Sequence, residues 1–212
     1  MGRFSKGLYG AFRGKVGSMV GSTWKGIEVV KSKPAGGRKN FSPDQLQQQA
    51  RFRLMIQFLK PLSKSLNQIY GPTVTQMTGA NKSLSYNVKN GISGAYPDFT
   101  VNYPKIQLGY GDLPNVDIAQ AASTAAGKLT ITWTDNSDGG YTQATDNAFV
   151  GVYCEEIKRW IFNSSAATRG AGSATIDVTA FSGKTVQTWL GFATPKRTAA
   201  SVTLFTGQVN IL

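Results

Sequence analysis

The sequence predicts a mainly β chain of the α+β class: a Gly-rich basic arm over residues 1–41, a helical segment over 42–97 and an antiparallel β-sandwich over 98–212. Three observations predict it. Glycines at 2, 7, 10, 14, 17, 21, 26, 36 and 37 crowd the first segment, and at ~1 kcal/mol each relative to Ala they disfavour an independent helix. A capped stretch with helical periodicity begins at Ser42. From about Asp98 the pattern changes to short Thr/Val/Ile/aromatic runs separated by turn-rich intervals.

Within the arm, Lys15–Val20 and Thr23–Lys31 are predicted to form a hairpin turning at Gly21-Ser22, because Trp24, Ile27, Val29 and Val30 are strand formers. A two-stranded hairpin is marginal by itself, so the arm is expected to dock on the body, a neighbouring subunit or a ligand. Lys31–Lys39 reads as an extended basic linker, since Pro34 and the Gly36-Gly37 pair block regular structure.

The next segment carries the clearest helix signal. Ser42 suits the N-cap, Pro43 the first helical position, Asp44 the positive end of the dipole, and Gln45 completes a capping box. The predicted core stripe is Leu46, Ala50, Leu54, Phe58, Leu62, Leu66 and Ile69, kinked or split at Pro61. Ala80, Leu84, Val88 and Ile92 predict a second helix, ended by Gly91 and Gly94.

The predicted strands are Asp98–Tyr103, Lys105–Tyr110, Lys128–Thr134, Ala148–Cys154, Arg159–Asn163, Ser173–Val178, Thr185–Ala193 and Val202–Ile211, with Trp133, Trp160 and Trp189 as core anchors. Strands of this length and spacing argue for a sandwich. With the Trp of LTITWT on an early strand and TVQTWLGFAT on a late one, residues 127–212 resemble an immunoglobulin-like or fibronectin type III-like module without a disulfide pair. That resemblance implies architecture and no activity.

Composition narrows the chemistry. There is no histidine, so Ser-His-Asp and Cys-His catalytic arrangements and His-containing zinc sites are excluded, and the single Cys154 cannot fill a thiolate cage. Cys154 follows the apolar run Phe149–Tyr153 and reads as a buried, inert thiol. Asp135, Asp138 and Asp146 lack the EF-hand order and its closing Glu, so they read as a strand-connecting loop. Glu155-Glu156 beside Lys158 and Arg159 reads as a hairpin turn with surface ion pairing. Gly14-x-x-Gly17-x-x-x-Gly21 meets neither phosphate-loop pattern. No cofactor, metal or enzymatic activity is expected. No apolar run approaches the ~20 residues of a membrane span, and the start is too broken by Gly, Arg and Lys to be a secretory signal.

Charge is the strongest functional signal. The formal charge is +12, of which residues 1–64 carry +11, residues 65–105 carry +2 and residues 106–212 carry −1. Clustered cations attract phosphate or other anions over a Debye length of ~8–10 Å. The expected polyanion-binding residues are Arg3, Lys6, Arg13, Lys15, Lys25, Lys31, Lys33, Arg38, Lys39, Arg51 and Arg53. Interleaved with them, Phe4, Phe12, Trp24, Ile27 and Val29 are the expected assembly interface. Base-specific recognition is not expected, since no RNA-recognition, KH or helix-turn-helix signature is present.

The wording of GKVGSMVGSTWKGIEVVKSKP (14–34), QQQARFRLMIQFLKPL (47–62) and STAAGKLTITWTDNS (123–137) resembles a family of uncharacterised proteins of Bacteroidota and their phages, known only as a domain of unknown function. The resemblance runs along nearly the whole chain, supplies no catalytic residue, and implies a shared plan and a phage or mobile-element origin. Together these readings predict a non-enzymatic structural protein of a phage particle, made in the host cytoplasm, whose basic arm docks on neighbouring subunits or packaged nucleic acid. The first alternative is a free cytoplasmic protein binding DNA or RNA without sequence preference. The second is a glycan- or ligand-binding adhesion module using loops around Gly139-Gly140-Tyr141 and Arg169.

Overall fold

The computed structural model describes residues 3, 4, 12–24, 26–33, 37, 40–70 and 77–212, with Arg3 and Phe4 described by their backbone only. The chain divides into two compact units, Met1–Gln45 and Leu46–Leu212. It is α+β and mainly β.

The first unit is an antiparallel sheet in the order β1 (Arg3–Phe4), β2 (Phe12–Val16), β3 (Met19–Trp24), β4 (Ile27–Ser32). The hairpin predicted around Gly21-Ser22 is corrected: Gly21 lies mid-strand in β3, and the turns fall at Gly17-Ser18 and at Gly26. Gly17 (φ +56°) and Gly26 (φ +82°) adopt the left-handed conformation that tight hairpins need. Gly21 has a different duty, since a Cβ there would stand 1.9 Å from the Phe12 carbonyl oxygen.

Helix α1 (Pro43–Leu59) starts on the predicted capping box. The Gln45 N–H donates to Ser42 Oγ at 3.3 Å, and the Ser42 N–H donates to Gln45 Oε1 at 3.1 Å. At Pro61 the chain tightens into a 3₁₀ turn, Lys60–Leu62, before α2 (Ser63–Tyr70). The predicted stripe is only partly correct. Phe58, Leu62, Leu66 and Ile69 are buried, but Leu46 is exposed, and Met55, Leu59 and Tyr70 join the core instead. A strict four-residue spacing drifts about 40° per step around a helix of 3.6 residues per turn, so the early members rotate off the packed face. Helix α3 (Gly79–Asn90) is capped by Thr78, whose side chain accepts from the Asn81 N–H.

Two predicted strands are corrected. Within Asp98–Tyr103 only β6 (Thr100–Val101) forms, paired with β5 (Ile92–Ser93). Lys105–Tyr110 is no strand, because Pro104 sits in a 3₁₀ turn over Tyr103–Lys105. The sandwich begins at β7 (Ala119–Ala125) and continues with β8 (Lys128–Trp133), β9 (Asn147–Cys154), β10 (Arg159–Thr168), β11 (Ser173–Asp177), β12 (Thr185–Ala193) and β13 (Leu204–Asn210). One sheet has the order β10-β9-β12-β13 and the other β11-β8-β7, all antiparallel.

Alternation along β9 places the core. Ala148, Val150, Val152 and Cys154 face Leu129, Ile131, Trp133, Ile176 and Phe192 between the sheets. Phe149 and Tyr153 point the other way, into a second cluster with Met55, Phe58, Leu59, Leu66 and Trp189. The helices therefore cover the outer face of the four-stranded sheet. This is why β9 and β12 read as nearly continuous apolar runs. Two indoles tie the layers: Trp160 Nε1–H donates to the Phe58 carbonyl at 2.9 Å and Trp189 Nε1–H to the Tyr103 carbonyl at 3.2 Å.

Arg169 is fully buried. Its guanidinium donates to Asp146 Oδ2 (3.3 Å), Asn136 Oδ1 (2.7 Å) and the Pro114 carbonyl (3.0 Å), and lies 4.1 Å from the Phe192 ring centroid. The Trp133 indole donates to the Arg169 carbonyl at 2.8 Å. One side chain thus joins three stretches distant in sequence. Replacing it (Arg169→Ala) leaves the Asp146 carboxylate buried without its countercharge, and urea unfolding is expected to show a loss of about 3–5 kcal/mol.

Candidate functional site

The register of the N-terminal sheet sorts its side chains onto two faces. Cross-strand partners share a face, so the pairs Trp24↔Ile27, Ser22↔Val29, Val20↔Lys31 and Lys15↔Val20 place Lys15, Val20, Trp24, Ile27, Val29 and Lys31 together. The opposite face carries Val16, Met19, Val30, Thr23 and Glu28. Trp24 is 52% exposed, Ile27 57% and Val30 52%, and Val16, Met19 and Val29 are exposed as well. Val20 is the half-buried exception among these apolar side chains. Apolar area is thus left open on both faces of one thin sheet.

The expected assembly residues Trp24, Ile27 and Val29 do converge on one face. Phe12 is half-buried, and its carbonyl lies over Gly21; Phe4 pairs with Phe12 in the backbone register. Sequence reasoning passed over Val16, Met19, Val20 and Val30 as interface residues. Placing the first turn at Gly17-Ser18 would have exposed the two-residue alternation that groups them.

Of the expected polyanion-binding residues, Lys15 and Lys31 flank the Trp24 face and are exposed, and Lys33 follows β4. Arg13 is exposed, with Nε–H donating to Thr23 Oγ1 at 3.2 Å. Among the described residues no acidic side chain forms an ion pair with any of these four. Lys6, Lys25, Arg38 and Lys39 lie outside the described residues, and of Arg3 only the backbone is described. Arg51 lies in the second unit and is half-buried, its Nη2–H donating to the Val88 carbonyl at 3.4 Å and its guanidinium standing over Phe99. Arg53 is exposed on α1.

Asp135, Asp138, Asp146 and Asp177 of the second unit accept hydrogen bonds from their own loops and turns. Asp138 Oδ1 accepts from the N–H groups of Gly140 and Thr142 and from the Thr142 hydroxyl, which holds its carboxyl below the ordinary range. Glu156 pairs with Lys184, a partner the sequence reading did not name. Arg169, expected at a ligand-binding loop, is buried and hydrogen-bonded to its own neighbours. A cavity of about 250 Å³ is lined by Phe58, Phe99, Tyr103, Tyr153, Glu155 and Lys158. Burial, and then the Glu155 carboxylate, raise the Tyr103 and Tyr153 phenols, so both stay protonated at neutral pH. Among the described residues no cluster of three or more His, Cys, Asp or Glu is arranged to hold a metal, and no helix is long and apolar enough to cross a membrane.

Comparison with known proteins places the chain in a family. The model of DUF6266, a family of unknown function, matches residues 11–207, and the chain belongs to it. No curated protein matches. Among solved structures, the crystal structure of the FN1–FN3 domains of chicken CNTN1 is similar at 16% identity with a TM-score of 0.37, over 48% of this chain and 35% of that one. The chain therefore spans about a third of the length of that structure.

The exposed cations give a quantitative expectation. If the sheet binds single-stranded DNA, replacing Lys15, Lys31 and Lys33 together by Gln is expected to reduce the slope of log affinity against log salt by about two units. The thermal unfolding of the protein is expected to stay unchanged, because none of the three side chains is buried.

Proposed function

We propose that this family member is a non-enzymatic structural protein that assembles through its N-terminal sheet, as a component of a phage particle. The observation that carries the reading is the sheet with apolar side chains open on both faces and exposed cations along it. Fully burying an exposed Val, Ile or Met side chain is worth roughly 1.5–3 kcal/mol, so a sheet that exposes Val16, Met19, Trp24, Ile27, Val29 and Val30 gains most when another surface covers it. The second unit has its own core and supplies the scaffold. Lys15, Lys31 and Lys33 would then screen packaged nucleic acid or an acidic partner. The resemblance to sequences of Bacteroidota phages supports the virion setting.

A second reading, a free protein binding DNA or RNA without sequence preference, is favoured by one specific feature. Lys15 and Lys31 share a face with the exposed Trp24, which combines phosphate neutralisation with a stacking surface.

Sedimentation velocity on the full chain at rising concentration separates the two. Assembly predicts concentration-dependent oligomers without nucleic acid. The double substitution Trp24→Lys, Ile27→Lys should weaken them more than tenfold while leaving the unfolding of the Leu46–Leu212 unit unchanged. A strict monomer that binds single-stranded DNA would support the second reading instead.

A further inference from the structure

Strand β4 ends the β1-β2-β3-β4 order, and all six of its residues, Ile27–Ser32, are exposed. Its ladder with β3 runs without a register shift from Trp24↔Ile27 to Met19↔Ser32, and the Lys33 N–H extends it to the Ser18 carbonyl at 2.7 Å. Antiparallel ladders alternate between residues that bond inward and outward. Since Lys33 bonds inward, so do Ile27, Val29 and Lys31, and the backbone groups of Glu28, Val30 and Ser32 point away from β3. No strand of the described residues stands on that side. The opposite edge, β1, has two residues. A long, regular, apolar edge without proline or bulge is a template for strand addition.

The charge pattern selects the occupant. Glu28 lies near the start of the strand and Lys31 and Lys33 at its end. A parallel copy would set like charges side by side, whereas an antiparallel copy brings the acidic end of one strand to the basic end of the other. Outward-pointing groups pair only with outward-pointing groups, and the midpoint of Ile27–Lys33 is Val30, itself outward-pointing.

We propose that β4 is the interface with a second copy of this chain, the two strands pairing antiparallel about a two-fold axis at Val30 and joining two four-stranded sheets into one of eight. Glu28 then lies opposite Ser32 of the partner subunit, whose hydroxyl can donate to the carboxylate. Val29 lies opposite Lys31 of the partner subunit, whose methylene stem covers it. The Trp24, Ile27 and Val29 surfaces of both copies become one. This rests on the assembly reading above and names its partner.

Cysteine cross-linking and a proline variant of the full chain test it. Paired residues of the hydrogen-bonded type stand about 5.5 Å apart at Cα, within disulfide reach, so Val30→Cys should form a disulfide-linked dimer under mild oxidation. Val29→Cys, about 7–8 Å from its own copy across the diagonal, should link about tenfold more slowly or not at all. The native Cys154 is fully buried and leaves the unsubstituted protein as a silent control. Val30→Pro removes an outward N–H while sparing the ladder to β3, and should weaken self-association about tenfold or more with unchanged thermal unfolding of the Leu46–Leu212 unit. If the unsubstituted chain assembles but Val30→Pro assembles equally well, or both cysteine variants link at the same rate, the β4 pairing is wrong and another surface carries the assembly. If the unsubstituted chain stays monomeric at every concentration, the assembly reading falls with it.

Discussion

Apolar side chains on both faces of a sheet must be covered for that sheet to be stable, and in the Met1–Gln45 unit they are open. Four short strands close their internal ladders but enclose no core: among the described residues of β2 to β4 only Gly21 is buried. The hydrophobic contribution that normally offsets about 1–2 kcal/mol of backbone entropy per ordered residue has to come from outside the sheet. The same segment holds nine basic residues against Glu28 and Asp44, so any surface that covers it must either be acidic or arrange those cations away from one another. Both demands would be met by the proposed assembly, in which a partner surface covers the sheet.

The Leu46–Leu212 unit meets the same physics internally. Its two sheets enclose one apolar cluster, and the helices enclose a second on the outer face of the four-stranded sheet. The largest polar side chains drawn between its layers are hydrogen-bonded: the Arg169 guanidinium has three acceptors and an aromatic face, and the buried indoles of Trp133 and Trp189 each donate to a carbonyl. A scaffold stabilised in this way can carry a marginal appendage, because its own folding does not wait for a partner.

Local signals with a strong stereochemical basis were legible in the sequence. The capping box at Ser42–Gln45, the break at Pro61, and the strands around Trp133, Tyr153 and Trp189 follow from side chains that act on their immediate neighbours. The Trp24, Ile27 and Val29 surface was legible for the same reason, as these residues alternate or pair locally. Features set by distant partners were not. Ala119–Ala125 has the composition of a loop and becomes a strand because β8 lies beside it. The role of Arg169 depends on Asp146, Asn136 and Pro114, none closer than 23 residues in sequence. Gly21 looks like a turn residue until Phe12 is seen to cross it.

Amide hydrogen exchange followed as a function of protein concentration tests the central claim most directly. If the N-terminal sheet is ordered by association, protection of the outward amides of Glu28, Val30 and Ser32 and of the ladders of β2 to β4 rises with concentration, while protection in β9 and β12 stays constant. Protection over residues 12–33 that matches β12 and does not depend on concentration would contradict it.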